Sequence, residues 1–530
     1  LEGLPRVRQA GPIAFFRDLE SHADALPVHT GELYFQAHRG TLTSQARTKR
    51  GNRCGEFALR EAEFWGAVAR ARTAFEWPAT SMDGAWKGLL LNQFHDILPG
   101  SSIARVYREA EALYEKVLGT ARAVRNAAAR TLTSPDARAL TVFNSLGWER
   151  AALVPLPRGF AGARCEGAAL PVQRLNGRAH VEVALPPCGW TTIESAPASP
   201  TTSGALLATP DLLENELLRV RFNARGEIVG LFDKETSREV VAAPMNDFRM
   251  YKDVPRSYDA WDLDSPYEQQ PVDLPAPARI EVAASGPLVA GLRLRRRLGR
   301  SELTQEVLLR RGSRRLDFVT RVDWRERHKL LKVAFPTNLH VREALHEIQF
   351  GHLARPNHRS RPFDADRFEV AQQKWTALAE PARGLAVLND CKYGVNVLGG
   401  CIGLTLLKSP LAPDAGADQG LQEFTYSLLL WNGPFAGSPV LREAYDLNAP
   451  PFSASGRAGS ASLLRIEPDG IVLEALKPAE DGSGDIVARL YEAWGAATRA
   501  ALRFGLPVHR AAQTDMLEAR PRPLPLRGDR

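Results

Sequence analysis

A chain of 530 residues is too long for one hydrophobic core, so three or more packed units are expected. An apolar share of 44% and a charged share of 24% belong to an ordinary globular protein, and the longest apolar runs, such as Gly88-Leu89-Leu90-Leu91, fall far short of the roughly 20 residues of a membrane span. The formal charge of +7 comes mostly from arginine, but its densest run, Arg293, Arg295, Arg296 and Arg297, mostly alternates with leucine as on a half-buried strand, so neither a nucleic-acid nor a membrane partner is expected.

The first fifty residues read as helix and then strand. Ile13, Phe15, Phe16, Leu19 and Ala23 recur at near-helical spacing between Ile13 and Leu26, Pro27 and Gly31 bracket a turn, and Glu32 to Gln36 has strand character. This suits one α–β step of an α/β barrel. From about Glu56 to Thr131 the pattern is helical: Phe57, Ala58, Ala62, Phe64, Trp65, Val68 and Ala69 mark one stripe, a second helix covers Met82 to His95, and a third runs from Ile103 to about Arg130. Ser101 and Ser102, after Pro99-Gly100, are expected to cap the third.

After Pro135 short strands take over, beginning with Ala139 to Asn144 and Leu153 to Leu156. Ser195 to Pro210, rich in Ser, Thr, Ala and Pro, reads as a linker. Leu217 to Phe222 and the evenly spaced runs between Ala278 and Trp324 predict an antiparallel β-sandwich, and a further stranded region spans Leu463 to about Glu518. The expected fold is a multidomain α+β protein: residues 1–50 end an α/β barrel, 51–134 form a three-helix bundle, 135–200 a small β-domain, 201–450 a large β-sandwich, and 451–530 a carboxy-terminal β-domain and tail. Cys54, Cys165, Cys188, Cys391 and Cys401 are widely spaced without a C-x-x-C pair, which fits neither a disulfide framework nor a thiolate zinc site and points to a reducing compartment. The opening Leu1-Glu2-Gly3, with no initiator Met or targeting peptide, fits a fragment.

The chemistry concentrates in Leu89 to Gly100, where an apolar helix ends in His95-Asp96 and is stopped by Pro99-Gly100. Such a histidine can offer a ring nitrogen to a metal and the carboxylate can ligate or accept a hydrogen bond, although a histidine near a helix end is more often a cap or a satisfied polar group. Asn92 to Ile103, followed by Val106-Tyr107, resembles the glycoside hydrolase family 38 α-mannosidases, most strongly their cytosolic and bacterial branch. The same family is resembled by Gly31 to Tyr34, His38 to Thr41, Lys49 to Arg53, Asp259 to Asp262, His328 to Val333, Arg367 to Val370 and Leu388 to Gly394.

The resemblance implies a zinc-dependent, retaining exo-α-mannosidase that removes terminal mannose from oligosaccharides, in the cytoplasm and as a homo-oligomer assembled through its β-domains. It implies that His95 is one zinc ligand, that Asp96 binds the sugar hydroxyls, and that the metal holds the mannose 2- and 3-hydroxyls. Retention needs two carboxyl groups about 5–5.5 Å apart. In the family both are aspartates upstream of the block matching Gly31 to Tyr34, so no catalytic carboxylate is expected in this chain. His22-Ala23-Asp24 has the spacing of the family's zinc pair but sits late in an amphipathic helix, and is read as solvated surface.

Asp259, Trp261 and Asp262 could wall a sugar site, with Asp262 as a substrate contact, or pack and shape turns. Asp390 and Tyr393 are further substrate candidates on a strand-end loop whose Asn389, Asp390 and Gly394 also suit a plain turn. Asp323, Glu326 and His328 read as surface charge rather than a metal cluster, and Ser101 and Ser102 lack the base a nucleophile would need. The rival reading is a non-catalytic carbohydrate-binding or interaction protein that kept the scaffold.

Overall fold

The computed structural model describes residues 3–33, 37–198 and 206–527, and the chain divides into two compact units, Leu1–Phe35 and Gln36–Arg530. The protein is a mixed α+β, multidomain chain with few helices and many antiparallel sheets.

In the first unit one helix, α1 (Pro12–Glu20), starts on a proline whose fixed φ suits the first helical turn. It ends six residues before the predicted end. The Ser21 amide and hydroxyl both donate to the Asp18 carbonyl, at 3.2 and 2.6 Å, and tighten the chain out of the helix. His22 and Asp24 are exposed beside a short 3₁₀ turn at Ala23–Ala25. Glu32 and Leu33 are irregular, and Tyr34, Phe35 and Gln36 of the expected strand lie outside the described residues. Among the described residues no strand precedes Ala139.

The second unit opens with α2 (Ala46–Arg72), α3 (Ala79–Asn92) and α4 (Ala104–Leu132). They share a core of Leu59, Met82, Leu89, Ala110, Tyr114 and Val117. Close approach depends on glycine in α2: a Cβ at Gly51 would lie 2.6 Å from the Tyr114 ring, and one at Gly55 2.7 Å from Leu89. Helix α2 begins at Ala46, eleven residues before its apolar stripe starts at Phe57. Its first turns bury Thr48, Lys49, Asn52 and Arg53 instead of hydrophobic residues, so hydrophobic periodicity could not reveal them. Asp418 caps this end, accepting the Gln45 and Ala46 amides at 3.1 and 2.7 Å where helix donors are otherwise unpaired and negative charge is favoured.

The strands Val289–Leu298, Ser301–Arg310, Arg315–Trp324 and Gly420–Asn432 are consecutive neighbours in a nine-stranded sheet. Burial alternates along Ser301–Arg310, as on a sheet with one face in a core. Phe318 and Tyr426 of this sheet meet Phe335 of a six-stranded sheet, with ring centres 6.2 and 6.0 Å apart. Helix α5 (Val440–Asn448) covers Trp375, Ala386, Leu429 and Trp431 with Val440 and Ala444.

The chain then returns to the sheet that follows α4. Phe452–Ser455 pairs with Ala139–Asn144, and Ser460–Ser462 pairs with Gly189–Ala196. Of the segment read as a linker, Ser195 and Ala196 belong to a strand and Leu207–Thr209 forms another, while residues 199–205 lie outside the described residues. Arg60 bolts α2 to the strand Ile471–Pro478, donating to the carbonyls of Glu474 at 2.8 Å and Leu473 at 3.1 Å. Among the described residues no helix is long and apolar enough to cross a membrane.

Candidate functional site

Helix α3 stops at Asn92, whose side-chain amide donates to the Ala110 carbonyl at 3.1 Å. The expected helix through His95 gives way here to tighter turns, with the Gln93 and Phe94 amides bonded three residues back to Leu90 and Leu91, both at 3.1 Å. This lifts His95 out of the helix. Its side chain is 72% exposed, its Nε2 lies 3.2 Å from an Asp96 carboxylate oxygen, and its ring sits 4.3 Å from that of Phe94.

The backbone of this turn is held firmly from below. The Asp96 carbonyl accepts the Ser102 hydroxyl at 2.7 Å and the Tyr107 hydroxyl at 3.3 Å. Ser102 therefore does not cap α4; the cap position belongs to Ile103, with no side-chain bond, because the serine oxygen points back to the turn. The Lys49 ammonium donates to the carbonyls of Leu98 at 3.0 Å and Pro99 at 3.4 Å, as well as to that of Ser44. Gly100 has φ +98°, and a Cβ there would sit 2.6 Å from both Cβ and O of Ser44, so only glycine lets the turn close on the residue two positions before α2. Burial lowers the Lys49 pKa to about 7 against the pull of the Asp418 charge. Burial likewise raises Asp418 to about 6, against its bond from the Ala46 amide and the charges of Lys392 and Lys49.

Beside the turn, Gln93 donates to Asn52 at 2.9 Å and to Glu56 at 3.1 Å, and Asn52 also donates to Glu56, at 3.0 Å. Burial raises the Glu56 pKa, opposed by the Arg53 charge. These residues line a half-open cleft of about 1520 Å³. One wall is a single face of α2, where Lys49, Asn52, Arg53, Glu56, Arg60 and Glu63 recur every three or four residues. His95 and Trp86 lie on one side, and Lys374, Tyr393, Glu474 and Tyr491 of the β-region with Tyr445 of α5 on the other. This polar face went unread in the sequence. Its signal was there in the helical repeat of polar rather than apolar residues.

Of the other candidates, Tyr393 shares the cleft with His95, but its hydroxyl accepts the Arg53 Nε at 3.1 Å under a guanidinium 4.7 Å from the ring. Asp390 lies outside the cleft lining, with its carboxylate accepting the Thr425 amide at 2.9 Å and burial raising its pKa. Asp262 holds the His38 amide, while Trp261 packs on the His38 ring at 4.8 Å; neither lines the cleft. Asp259 accepts the Leu411 amide at 2.6 Å and lies 2.9 Å from His328 Nε2. Asp323 pairs with Arg325, and Glu326 is buried against the Arg300 amide, so the three residues Asp323, Glu326 and His328 each serve a different partner.

Zinc needs three or four protein ligands at about 2 Å. Among the described residues no three His, Cys, Asp or Glu side chains stand close enough to hold a metal ion. The exposed His95 ring, with Asp96 beside it, fits the part of a single ligand and does not by itself make a site.

Residues 36–132 match the description "Alpha mannosidase middle domain", residues 213–416 "Glycosyl hydrolases family 38 C-terminal domain" and residues 470–529 "Glycosyl hydrolases family 38 C-terminal beta sandwich domain". The chain is 37% identical to human alpha-mannosidase 2C1, covering 98% of this chain and 51% of that protein. It is 32% identical to alpha-mannosidase G of Dictyostelium discoideum, covering 94% of this chain and 50% of that protein. It thus spans about half the length of the curated relatives it matches. Its fold superposes on a family 38 glycosyl hydrolase protein from Enterococcus faecalis with a TM-score of 0.79 at 19% identity, over 95% of this chain and 70% of that one.

Proposed function

Because the chain belongs to glycoside hydrolase family 38, we propose that it is part of a retaining exo-α-mannosidase that releases terminal mannose from mannose-containing oligosaccharides. The observation that carries this reading is the His95–Asp96 turn: His95, capable of metal contact, lines a large cleft with the Asp96 carboxylate 3.2 Å beside it, while the scaffold grips the backbone beneath them.

In this reading His95 contributes one nitrogen to a zinc ion whose other ligands, with both catalytic carboxylates, belong to the part of the relatives this chain does not cover. When bound, that ion supplies positive charge and a template for two sugar hydroxyls. Asp96 accepts hydroxyl hydrogens of the same mannose, and its closeness to His95 sets the ring's orientation. Ser102, Tyr107 and Lys49 fix the turn so that both groups stay in place without spending their own side-chain atoms. Residues 1–35, before the part that matches the middle domain, would belong to the barrel carrying the carboxylates. The remaining parts of the proposal, a cytoplasmic and homo-oligomeric enzyme, rest on the family resemblance and, for location, on five cysteines that are all free.

The test is hydrolysis of an aryl α-mannoside, with and without zinc, by this chain and by a form extended upstream. Activity confined to the extended form, and lowered about 100-fold or more by His95→Ala or Asp96→Ala, supports the proposal. Activity in the short chain would overturn the placement of the carboxylates, and inactivity of both forms would favour the carbohydrate-binding protein.

A further inference from the structure

The far part of the cleft carries an arrangement that the proposed chemistry does not use. The strands Glu343–Ile348 and Gly351–Pro356 form a hairpin whose two connecting residues are Gln349 and Phe350. Phe350 has φ +59°, a region that favours glycine and asparagine and is an outlier for a bulky side chain. The residue is nevertheless 63% exposed, so burial does not repay that conformation. A strained aromatic residue held out into solvent is a recurrent mark of a binding position.

The hairpin is fixed at its base. Glu347 accepts the Lys374 amide at 2.6 Å and pairs with its ammonium at 2.8 Å, and His352 bonds to the Ala493 carbonyl at 3.0 Å. Tyr491 meets the Phe350 ring edge-on at 5.8 Å. From it a polar chain crosses the cleft floor: the Tyr491 hydroxyl lies 3.0 Å from that of Tyr445, which donates to the Glu474 carboxylate. Phe350, Tyr491 and Glu474 all line the cleft that holds His95. A flat apolar ring beside a phenol and a carboxylate matches a pyranose, which offers a C–H face to the ring and hydroxyls to the polar groups.

The distance sets the ligand's length. Gln93, next to the His95 turn, bonds to Asn52 on α2, whereas Glu474 is anchored through its carbonyl to Arg60. Those two levels are separated by roughly 12 Å of helix at 1.5 Å per residue. We propose that Phe350, Tyr491 and Glu474 form a distal sugar subsite, which holds an inner pyranose of an oligosaccharide whose terminal mannose occupies the His95–Asp96 end. The identity of the terminal sugar rests on the function proposed above; the subsite itself does not.

The test is calorimetric titration of the 530-residue chain with a linear α-mannotetraose and with methyl α-mannoside. The tetraose should bind, Phe350→Gly should weaken it about tenfold, and Phe350→Trp should keep it, with methyl mannoside unaffected by either change. Glycine relaxes the backbone at this position, so an unchanged melting temperature separates lost contact from lost fold. Tetraose binding that is absent, or equally tight in Phe350→Gly, overturns the subsite. In the upstream-extended form the two readings part company. Hydrolysis of an aryl mannoside with a tetraose KM indifferent to Phe350→Gly removes the subsite alone, whereas Phe350-dependent tetraose binding without hydrolysis removes the hydrolase alone.

Discussion

The turn at Phe94–Gly100 and the turn at Asn389–Tyr393 contain similar residues and are treated differently by the scaffold. In the first, the protein binds carbonyls, those of Asp96, Leu98 and Pro99, and leaves the His95 and Asp96 side chains outside. In the second, it binds side chains as well as backbone: Asn389 accepts the Lys392 amide at 2.7 Å and donates to the Gln373 carbonyl at 3.0 Å, Asp390 takes the Thr425 amide, and Tyr393 takes Arg53, while the Asn389 and Lys392 carbonyls accept Asn448 and Gln372. A turn anchored through its backbone keeps its side chains for a ligand. A turn anchored through its side chains is architecture, whatever its residue types imply.

The sharpest way to break this contrast is to release the first turn from beneath. Lys49→Met removes the donor shared by the Ser44, Leu98 and Pro99 carbonyls, and should cost about 3 kcal/mol in chemical denaturation at neutral pH. The loss should depend on pH in a definite direction. Folded Lys49 titrates near 7, while the unfolded chain keeps the ordinary value of 10.5. Between these values the unfolded state binds more protons, so the contribution of Lys49 to stability rises with pH and is lost as pH falls through about 7. The stability gap between the parent and Lys49→Met should therefore widen from pH 7 to pH 10. A gap that narrows would show that the ammonium, not the lysine as such, is the favoured folded form.

The second turn offers the next largest effect. Asp390→Ala strips the Thr425 amide of its acceptor inside the β-region and should cost about 1–3 kcal/mol, with tetraose affinity unchanged. If the variant kept its stability and lost the sugar, the second turn would belong with the first and the contrast would fail. Ser102→Ala should cost less, about 1 kcal/mol, since the Asp96 carbonyl retains Tyr107.

How far these differences were legible follows from what a linear sequence records. The apolar stripe from Phe57 to Ala69 revealed α2, and alternation revealed the strands around Arg293, because each pattern repeats over neighbouring residues. The start of α2 was hidden because its buried side chains are polar and their partners are remote: Asp418 for the Ala46 amide, Asn448 for Arg53. The return of Phe452–Ser455 to the sheet of Ala139–Asn144 left no local trace for the same reason. In the site, His95 and Asp96 came from resemblance, and what physics adds is the anchoring from Lys49 and Ser102. The attractions of Asp390 and Tyr393 came from residue type, which cannot say whether a carboxylate faces a cleft or a backbone amide.

The smallest expected effect is the most discriminating. His95→Ala should change the stability of this chain by less than about 0.5 kcal/mol, because the ring is 72% exposed and its nearest charged neighbour is a carboxylate itself 44% exposed. The turn would survive, since none of the bonds that hold it uses the imidazole. The Phe94 ring would lose one neighbour at a surface where it is already half exposed. A residue that the fold does not need, held on a turn that the fold anchors at several points, is one whose position is explained by something outside the fold. A melting temperature that dropped by many degrees in His95→Ala would reverse this inference and make the histidine one more structural side chain.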